Sequence, residues 1–251
     1  MIRCGGMFRT ALFKNVVDFW ARHRPCRCLV CGRPARAADL EDGCCLECKP
    51  QLRPQQSGFC PDCGLMYALE APVSRCLECR LRKRPWDGFG FFGPYEGLLR
   101  EILLKFKFQE GLGYSRVLQD LMLLAYREHL HPYVPDAILP VPLHPARLQY
   151  RGYNQSLELG RKLARDLQVR IRPQGLIRLH NTPPQAGLNR KERLENLKGA
   201  FQANRGAVSG KRLLLIDDIY TTGTTLTACA KALRKAGIRE LKVLVLARAR
   251  L

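Results

Sequence analysis

The segment Arg212–Leu226, R-L-L-L-I-D-D-I-Y-T-T-G-T-T-L, constrains the fold more than any other stretch of this chain. Leu213 to Ile216 are four apolar residues in a row with charge on both sides, the form of a short strand buried on both faces. Two carboxylates, Asp217 and Asp218, follow at once. Then come Thr221, Thr222, Gly223, Thr224 and Thr225, after which Leu226, Cys229, Ala230 and Leu233 recur at helical spacing. A strand, an acidic pair, a hydroxyl-and-glycine turn and a helix start together make a receptacle for a phosphorylated sugar. The first N–H groups of a helix lack intrahelical partners and carry partial positive charge, which suits a phosphate. Gly223 lets the backbone close around an anion, and threonine hydroxyls add donors. The carboxylates can accept hydrogen bonds from sugar hydroxyls or help hold a hydrated Mg²⁺. Helix capping explains a single Thr or Asp at such a junction. It does not explain two adjacent acids and four threonines around one glycine.

This stretch resembles the PRPP-binding motif of type I phosphoribosyltransferases, contiguously from Leu213 to Leu226. The resemblance implies that Asp217 and Asp218 contact the ribose hydroxyls in the catalytic site, and that Thr221, Thr222, Gly223, Thr224 and Thr225 cup the 5′-phosphate.

Upstream, cysteines fall into four pairs at one spacing: Cys28/Cys31, Cys45/Cys48, Cys60/Cys63 and Cys76/Cys79. C-x-x-C sets two sulfurs on one tight knuckle, and two knuckles complete a tetrahedral site of four sulfurs. Residues 28–48 and 60–79 read as two successive copies of one unit. Gly32 and Gly64 each follow the second cysteine of a knuckle, where the turn needs a residue tolerant of positive φ. Zn²⁺ at two structural sites is the expectation, with iron the alternative such a site accepts. Sequential pairing of the knuckles is the simpler arrangement, and cross-braced pairing is the alternative. Closed sites of this kind have no open coordination position, so the module is structural or adhesive. Cys229 falls on the apolar row of its helix and is expected in the core, while Cys26 and Cys44 each neighbour a knuckle.

The expected organisation is an N-terminal extension over 1–25, a double zinc-ribbon-like module over 26–84, and an α/β domain over 86–251. Residues 1–25 carry apolar side chains roughly on one helical face. Arg80-Leu81-Arg82-Lys83-Arg84-Pro85 is a basic linker. Residues 87–94 predict a strand, Leu98–Phe106 an amphipathic helix, 117–130 a second helix and 137–141 a buried strand. Arg147 and Arg151 follow that strand's end, and Asn154-Gln155-Ser156 opens a helix over 157–167. Ligands bind at the carboxyl ends of strands in open α/β sheets, so these arginines are placed to meet a pyrophosphate. Further strands near 175–180, 212–217 and 241–247, with a helix over 223–236, predict a mostly parallel sheet flanked by helices.

The run L-P-V-P-L-H-P-A-R-L-Q-Y-R-G-Y-N-Q-S up to Ser156, followed by Thr182, Gln185, Leu188, Arg190, Arg193, Asn196 and Gly199-Ala200-Phe201, resembles the ComF/GntX family over roughly residues 28–248. That resemblance implies a cysteine-rich zinc module joined to a type I phosphoribosyltransferase-like domain. Residues 182–196 take the place of a mobile catalytic loop, from which Arg190, Lys191 and Arg193 would close over PRPP and neutralise departing pyrophosphate. It also implies a role in DNA uptake or utilisation during natural competence, on the cytoplasmic side of the membrane, with a helicase-like partner.

The balance of 42 Lys+Arg against 22 Asp+Glu, a net charge of +20, favours polyanions such as nucleotides, single-stranded DNA or an anionic membrane surface. No stretch is long and apolar enough to span a bilayer. Twelve cysteines in a cytoplasmic chain, free or peripheral at the inner face of the membrane, point to metal ligands and thiols rather than disulfides. Two functions are expected. One is a PRPP- or nucleotide-binding protein that handles DNA. The other is an active Mg²⁺-dependent phosphoribosyltransferase of nucleotide salvage. For the second, nothing follows the last strand to cover an acceptor, so the cover is expected from residues 86–110, from the cysteine module, or not at all.

Overall fold

A computed structural model describes residues 25–108, 111–180 and 199–250. The helix expected in 1–25 and the loop bearing Arg190, Lys191 and Arg193 lie outside the described residues. The chain divides into two compact units, the first ending at Leu52 and the second beginning at Arg53.

The first unit is built from two short antiparallel pairs, β1 (Pro25–Arg27) with β2 (Pro34–Arg36) and β3 (Leu40–Glu41) with β4 (Cys44–Cys45). The second begins with the two later knuckles, the last of which runs into α1 (Leu77–Leu81). Next come β5 (Gly88–Pro94), α2 (Gly97–Phe108), α3 (Ser115–His129) and β6 (Ala137–Pro140). They are followed by α4 (Pro145–Arg151), α5 (Gln155–Asp166), β7 (Arg170–Ile171), β8 (Leu176–Arg178) and β9 (Phe201–Ala203). α6 (Arg205–Val208), β10 (Arg212–Tyr220), α7 (Thr224–Lys235) and β11 (Glu240–Arg248) complete it. Five strands form one sheet in the order β5-β11-β10-β6-β7, with every neighbouring pair parallel.

Alternation along β10 divides the core. Leu213 and Leu215 join Val243, Val245, Phe89 and Phe91 on one face, packed with Leu226, Cys229, Ala230 and Leu233 of α7. The four cysteines Cys60, Cys63, Cys76 and Cys79 belong to this same buried cluster. On the other face, Gly160 admits α5 so closely that a Cβ there would lie 3.4 Å from Ile216 Cδ1. Leu213 to Ile216 are all fully buried, as their unbroken apolar run requires.

Two segments differ from the sequence reading. The connection holding Arg147 and Arg151 is a helix. Pro145 sits in its first turn, the His144 ring accepts the Ala146 N–H at 3.3 Å, and Gly152 ends it at φ +82°. It is seven residues long and buries none of them, so apolar periodicity does not reveal it. The strand expected near 175–180 is present as β8, but it pairs antiparallel with β9 outside the main sheet. The sheet's edge is β7 instead, and the Pro173–Gly175 turn carries the chain off that edge.

Candidate active site and metal centres

From β6 the chain moves outward to β7, whereas from β10 it moves the opposite way to β11, so the crevice between β6 and β10 is a topological switch point. Asp217 and Asp218 stand at its mouth, near the carboxyl end of β10. The end of β6 is tied down there: Val141 N–H donates to Ile216 O at 2.9 Å, and the Asn154 side-chain amide donates to Val141 O at 3.0 Å. Asn154 Oδ1 also accepts the Leu157 N–H at 3.1 Å, which caps α5. This capping aims Ser156, whose hydroxyl donates to Asp217 Oδ1 at 3.0 Å.

The two acids are held differently. Asp217 Oδ1 also accepts the Asp218 backbone N–H at 3.0 Å. Burial and the neighbouring Asp218 charge nevertheless push Asp217 up to about 7. Asp218 is buried and paired with Lys107 Nζ at 2.8 Å, from the last turn of α2. A carboxylate pair in which one member is this reluctant to ionise gains from a divalent cation. Its hard oxygen donors and the neighbouring hydroxyl fit Mg²⁺. Gln155, the residue before Ser156, is buried, and its Nε2 has no hydrogen-bond partner among the described residues.

The turn after β10 reaches the start of α7 through Gly223, which sits at φ +75°. A Cβ at this position would lie 2.3 Å from the Tyr220 hydroxyl, so only glycine fits. No side chain caps α7, and the Thr222 and Thr224 hydroxyls lie 3.1 Å apart at its mouth. Thr221 is exposed, and Thr222 and Thr225 are partly so. The anion-binding end of the helix therefore opens at the strand tip beside the acidic pair.

Arg248, at the end of β11, braces this turn from beneath. It is buried, its guanidinium lies 4.5 Å from the Tyr220 ring centroid, and it donates to Thr221 O at 2.9 Å and to Cys63 O at 3.0 Å. Trp86 and Phe89 meet the Tyr220 ring edge to face on another side. The Gly223 turn and a cysteine knuckle thus share one buried arginine.

Asp217, Asp218 and Thr221 to Thr225 come together as the sequence expects. Arg151 lies close by: Asp218 acts on it electrostatically, and its guanidinium stacks over Phe108 at 5.2 Å. Arg147 is one turn earlier on α4. Lys107, Ser156 and Arg248 were not identified as site residues in the sequence. For Arg248 a signal existed, because a charged residue closes the apolar run of residues 243–247. Lys107 and Ser156 lie 111 and 61 positions from Asp218 and Asp217, the acids they meet, which is too far for any local pattern to show.

The eight knuckle cysteines gather into two groups, Cys28/Cys31/Cys45/Cys48 and Cys60/Cys63/Cys76/Cys79, each with its sulfurs within 4.8 Å of one another. Pairing is therefore sequential rather than cross-braced. A tetrahedron with metal–sulfur bonds of about 2.3 Å has edges of about 3.8 Å. The Cys31–Cys45 and Cys63–Cys76 sulfurs are each 3.8 Å apart, which fits a bound zinc ion. Backbone N–H groups of Val30 and Cys45 reach Cys28 Sγ at 3.4 Å, and Arg84 Nε reaches Cys79 Sγ at 3.2 Å, as metal thiolates require. Cys44 and Cys26 fall outside the groups, and Cys229 is a fully buried core residue.

Residues 154–250 match the phosphoribosyl transferase domain. Competence protein F of Haemophilus influenzae is 34% identical over 228 residues, covering 89% of this chain and 97% of that one. The DNA utilization protein YhgH of Escherichia coli O6:H1 is 31% identical, with the same coverage of both chains. Competence protein ComFC of Bacillus subtilis is 27% identical over 77% of this chain and 78% of its own. Among solved structures, a glutamine PRPP amidotransferase from B. subtilis is similar at a TM-score of 0.39 and 21% identity, over 54% of this chain and 27% of that one. The fold is established by the sheet order and the domain match rather than by this weak likeness. Identity above 30% along nearly the full length of both partners shows that the chain belongs to the competence protein F family.

Proposed function

We propose that this chain binds PRPP, or a related phosphoribosyl ligand, together with Mg²⁺ at the tip of β10, and serves the uptake and use of DNA in the cytoplasm. The observation that carries this reading is the placement of Asp217, Asp218 and the Gly223 turn at one switch point, with Ser156 on one acid and Lys107 on the other. The 5′-phosphate would sit at the start of α7, under the Thr221, Thr222, Thr224 and Thr225 hydroxyls. The ribose hydroxyls would bond to Asp217 and Asp218. Arg147 and Arg151, with Arg190, Lys191 and Arg193 from the segment outside the described residues, would meet the pyrophosphate. Mg²⁺ supplies charge neutralisation on the pyrophosphate oxygens when bound. Both cysteine groups would hold zinc.

The names of the relatives support the DNA role, and the net charge of +20 suits single-stranded DNA, with a helicase-like protein as partner. No helix among the described residues is long and apolar enough to cross a membrane. If DNA is bound through phosphate contacts, its affinity falls steeply with salt, with a log–log slope of several units. A flat response counts against that part of the reading.

Calorimetry with Mg²⁺-PRPP tests the ligand. Asp217→Asn with Asp218→Asn should abolish binding, and unchanged binding would end the proposal. The sign of the pH dependence follows from Asp217. Its folded value of about 7 lies above the ordinary 3.8, so the folded protein without ligand holds this proton more tightly than the unfolded chain. The group's stabilising contribution is complete below about 4 and is lost as pH rises to about 7. Binding of Mg²⁺-PRPP displaces that proton, so affinity should rise through pH 7 and level off above it. Asp217→Asn should flatten the stability slope in that window.

A second reading, phosphoribosyl transfer to an acceptor, is favoured by a cavity of about 290 Å³ lined by Lys107, Phe108, Gly111, Tyr150, Arg151 and Tyr153. In that reaction a nitrogen lone pair of the acceptor forms the new bond to C1. The C1–O bond breaks, its electron pair leaves with pyrophosphate, and the acceptor's proton passes to water. The protein would contribute position and cationic charge around the departing oxygens.

A further inference from the structure

We propose that the outward face of α1, with the recess beside it, is a docking surface for a protein partner that presents an apolar groove edged by carboxylates. The inference is independent of the ligand proposed at the tip of β10.

The run Arg80-Leu81-Arg82-Lys83-Arg84-Pro85, expected as a linker, is part of the cysteine knuckle instead. Its first two residues close α1, and Arg84 folds back, donating to Cys79 Sγ at 3.2 Å and pairing with Glu78 at 3.2 Å. Cys79 is the one buried residue of α1. Leu77, Arg80 and Leu81, spaced i, i+3 and i+4, share the opposite face. Leu77 and Leu81 stand 73% and 75% exposed. Two large apolar side chains one turn apart are the anchors by which a helix enters a partner's groove.

The charge around them defines that partner. Arg80, Arg82 and Lys83 are exposed, and none has a carboxylate partner among the described residues. Arg80 and Lys83 also line a recess of about 410 Å³, as does buried Trp86. The two acids of its wall, Asp62 and Asp87, are already paired with Arg75 and Arg234 at 2.8 and 2.5 Å. Arg80 Nε donates to Arg75 O at 2.9 Å, which fixes the guanidinium and leaves its terminal nitrogens to grip a carboxylate. Because Arg80 belongs to both, the leucine face and the recess form one surface. A recess admits an acidic side chain and not a bilayer surface, so the combination selects a protein.

The other cysteine group supplies an internal comparison. Cys45-Leu46-Glu47-Cys48 repeats the order of Cys76-Leu77-Glu78-Cys79, and Leu46 is 77% exposed. There the cation after the last cysteine, Lys49, is held by Glu41 and Asp42, and Pro50 stands where the second copy has Leu81. The docking chemistry is complete only at α1.

Leu81→benzoylphenylalanine in the full chain, irradiated in the cells that express it, tests the surface, since the photoreactive ring bonds to whatever covers that face. The expected adduct is with one protein, and its cross-linked peptide carries large apolar residues beside Asp or Glu. Adding Leu77→Ser, or Arg80→Glu with Lys83→Glu, should lower the adduct about tenfold, the scale of losing one anchor or one charge pair. Zinc content and Tm should stay at the parent's values. Lys83→Glu alone, which lies outside α1, should lower the adduct too. Replacing the mapped carboxylate by lysine should restore the adduct of the charge-reversed variant. Adducts with lipid alone, with a second copy of this chain, or with nothing would overturn the proposal. So would an equal yield from Leu46→benzoylphenylalanine, or a yield indifferent to charge reversal.

Discussion

The knuckles that begin at Cys28 and Cys60 close with the same backbone bonds. Gly32 N–H reaches Cys28 O at 2.9 Å and Gly64 N–H reaches Cys60 O at 2.8 Å, while Cys28 N–H meets Arg33 O and Cys60 N–H meets Leu65 O. Their surroundings diverge. The first group sits on short hairpins, with Cys31 exposed and Cys45 half-buried. In the second, all four cysteines are buried in the core cluster of the sheet. Trp86 Nε1 donates to Asp62 O at 2.8 Å inside the second knuckle, and Arg248 joins Cys63 O to Thr221 O in the turn before Gly223. A local repeat is enough to gather four sulfurs. What those sulfurs support depends on the residues against which the repeat packs.

The sharpest way to break this comparison is to remove one thiolate from each group. Cys63→Ser takes a ligand from a site fused to the sheet, where a structural zinc contributes folding free energy directly. The expected loss is on the order of 5 kcal/mol, part of a metal contribution of roughly 10 kcal/mol or more. Melting of the sheet unit should fall steeply, and Mg²⁺-PRPP binding should go with it. Cys31→Ser should release metal from the other group and leave both the melting of the sheet unit and PRPP affinity near those of the parent. Equal effects from the two variants would mean that the groups are not separate supports.

A smaller effect isolates the link itself. Arg248→Ala leaves the carbonyls of Cys63 and Thr221 without their charged donor and uncovers one face of Tyr220. Charge-assisted bonds of this kind are each worth about 1.5–3 kcal/mol. The variant should keep its full zinc content, melt lower by about 2–3 kcal/mol, and bind PRPP about tenfold more weakly because the turn loses its brace. Zinc loss together with unchanged PRPP affinity would show that the arginine serves only the knuckle.

Both the cysteine repeat and the strand–turn–helix around Gly223 were legible in the sequence because each is local. C-x-x-C spacing sets sulfur geometry within four residues, and Leu213–Ile216 followed by two acids and a glycine turn specifies strand, site and helix in one run. Residues joined through the fold were not legible. Lys107 stands in the last turn of its helix, and nothing nearby in the sequence says that it meets Asp218. Arg248 follows the strand it closes, and its partners are Cys63 and Thr221. The helix over Pro145–Arg151 was missed because it is short and buries no residue, so no core-facing stripe marks it. The strand over Leu176–Arg178 was recognised, but its partner was not, since pairing outside the sheet depends on the Pro173–Gly175 turn.

The finest test uses the glycines that follow each knuckle, because they hold the same backbone and differ only in neighbours. Gly32 sits at φ +73° and Gly64 at φ +64°, both in the left-handed region. An alanine in either place carries the same backbone cost, about 1 kcal/mol. A Cβ on Gly32 would meet nothing within 4 Å, whereas on Gly64 it would lie 2.7 Å from Phe89 Cε1 and 3.2 Å from Phe91 Cδ1. Those rings belong to the buried floor of the sheet and cannot yield without disturbing it, and overpacking of this kind adds about 1–3 kcal/mol. Gly32→Ala should therefore cost about 1 kcal/mol, seen in the zinc affinity of the first group. Gly64→Ala should cost about 2–4 kcal/mol, seen in the melting of the sheet unit. Matching losses at the two positions would mean that the knuckle's own backbone, and not the aromatic floor beneath it, decides how much each metal centre supports.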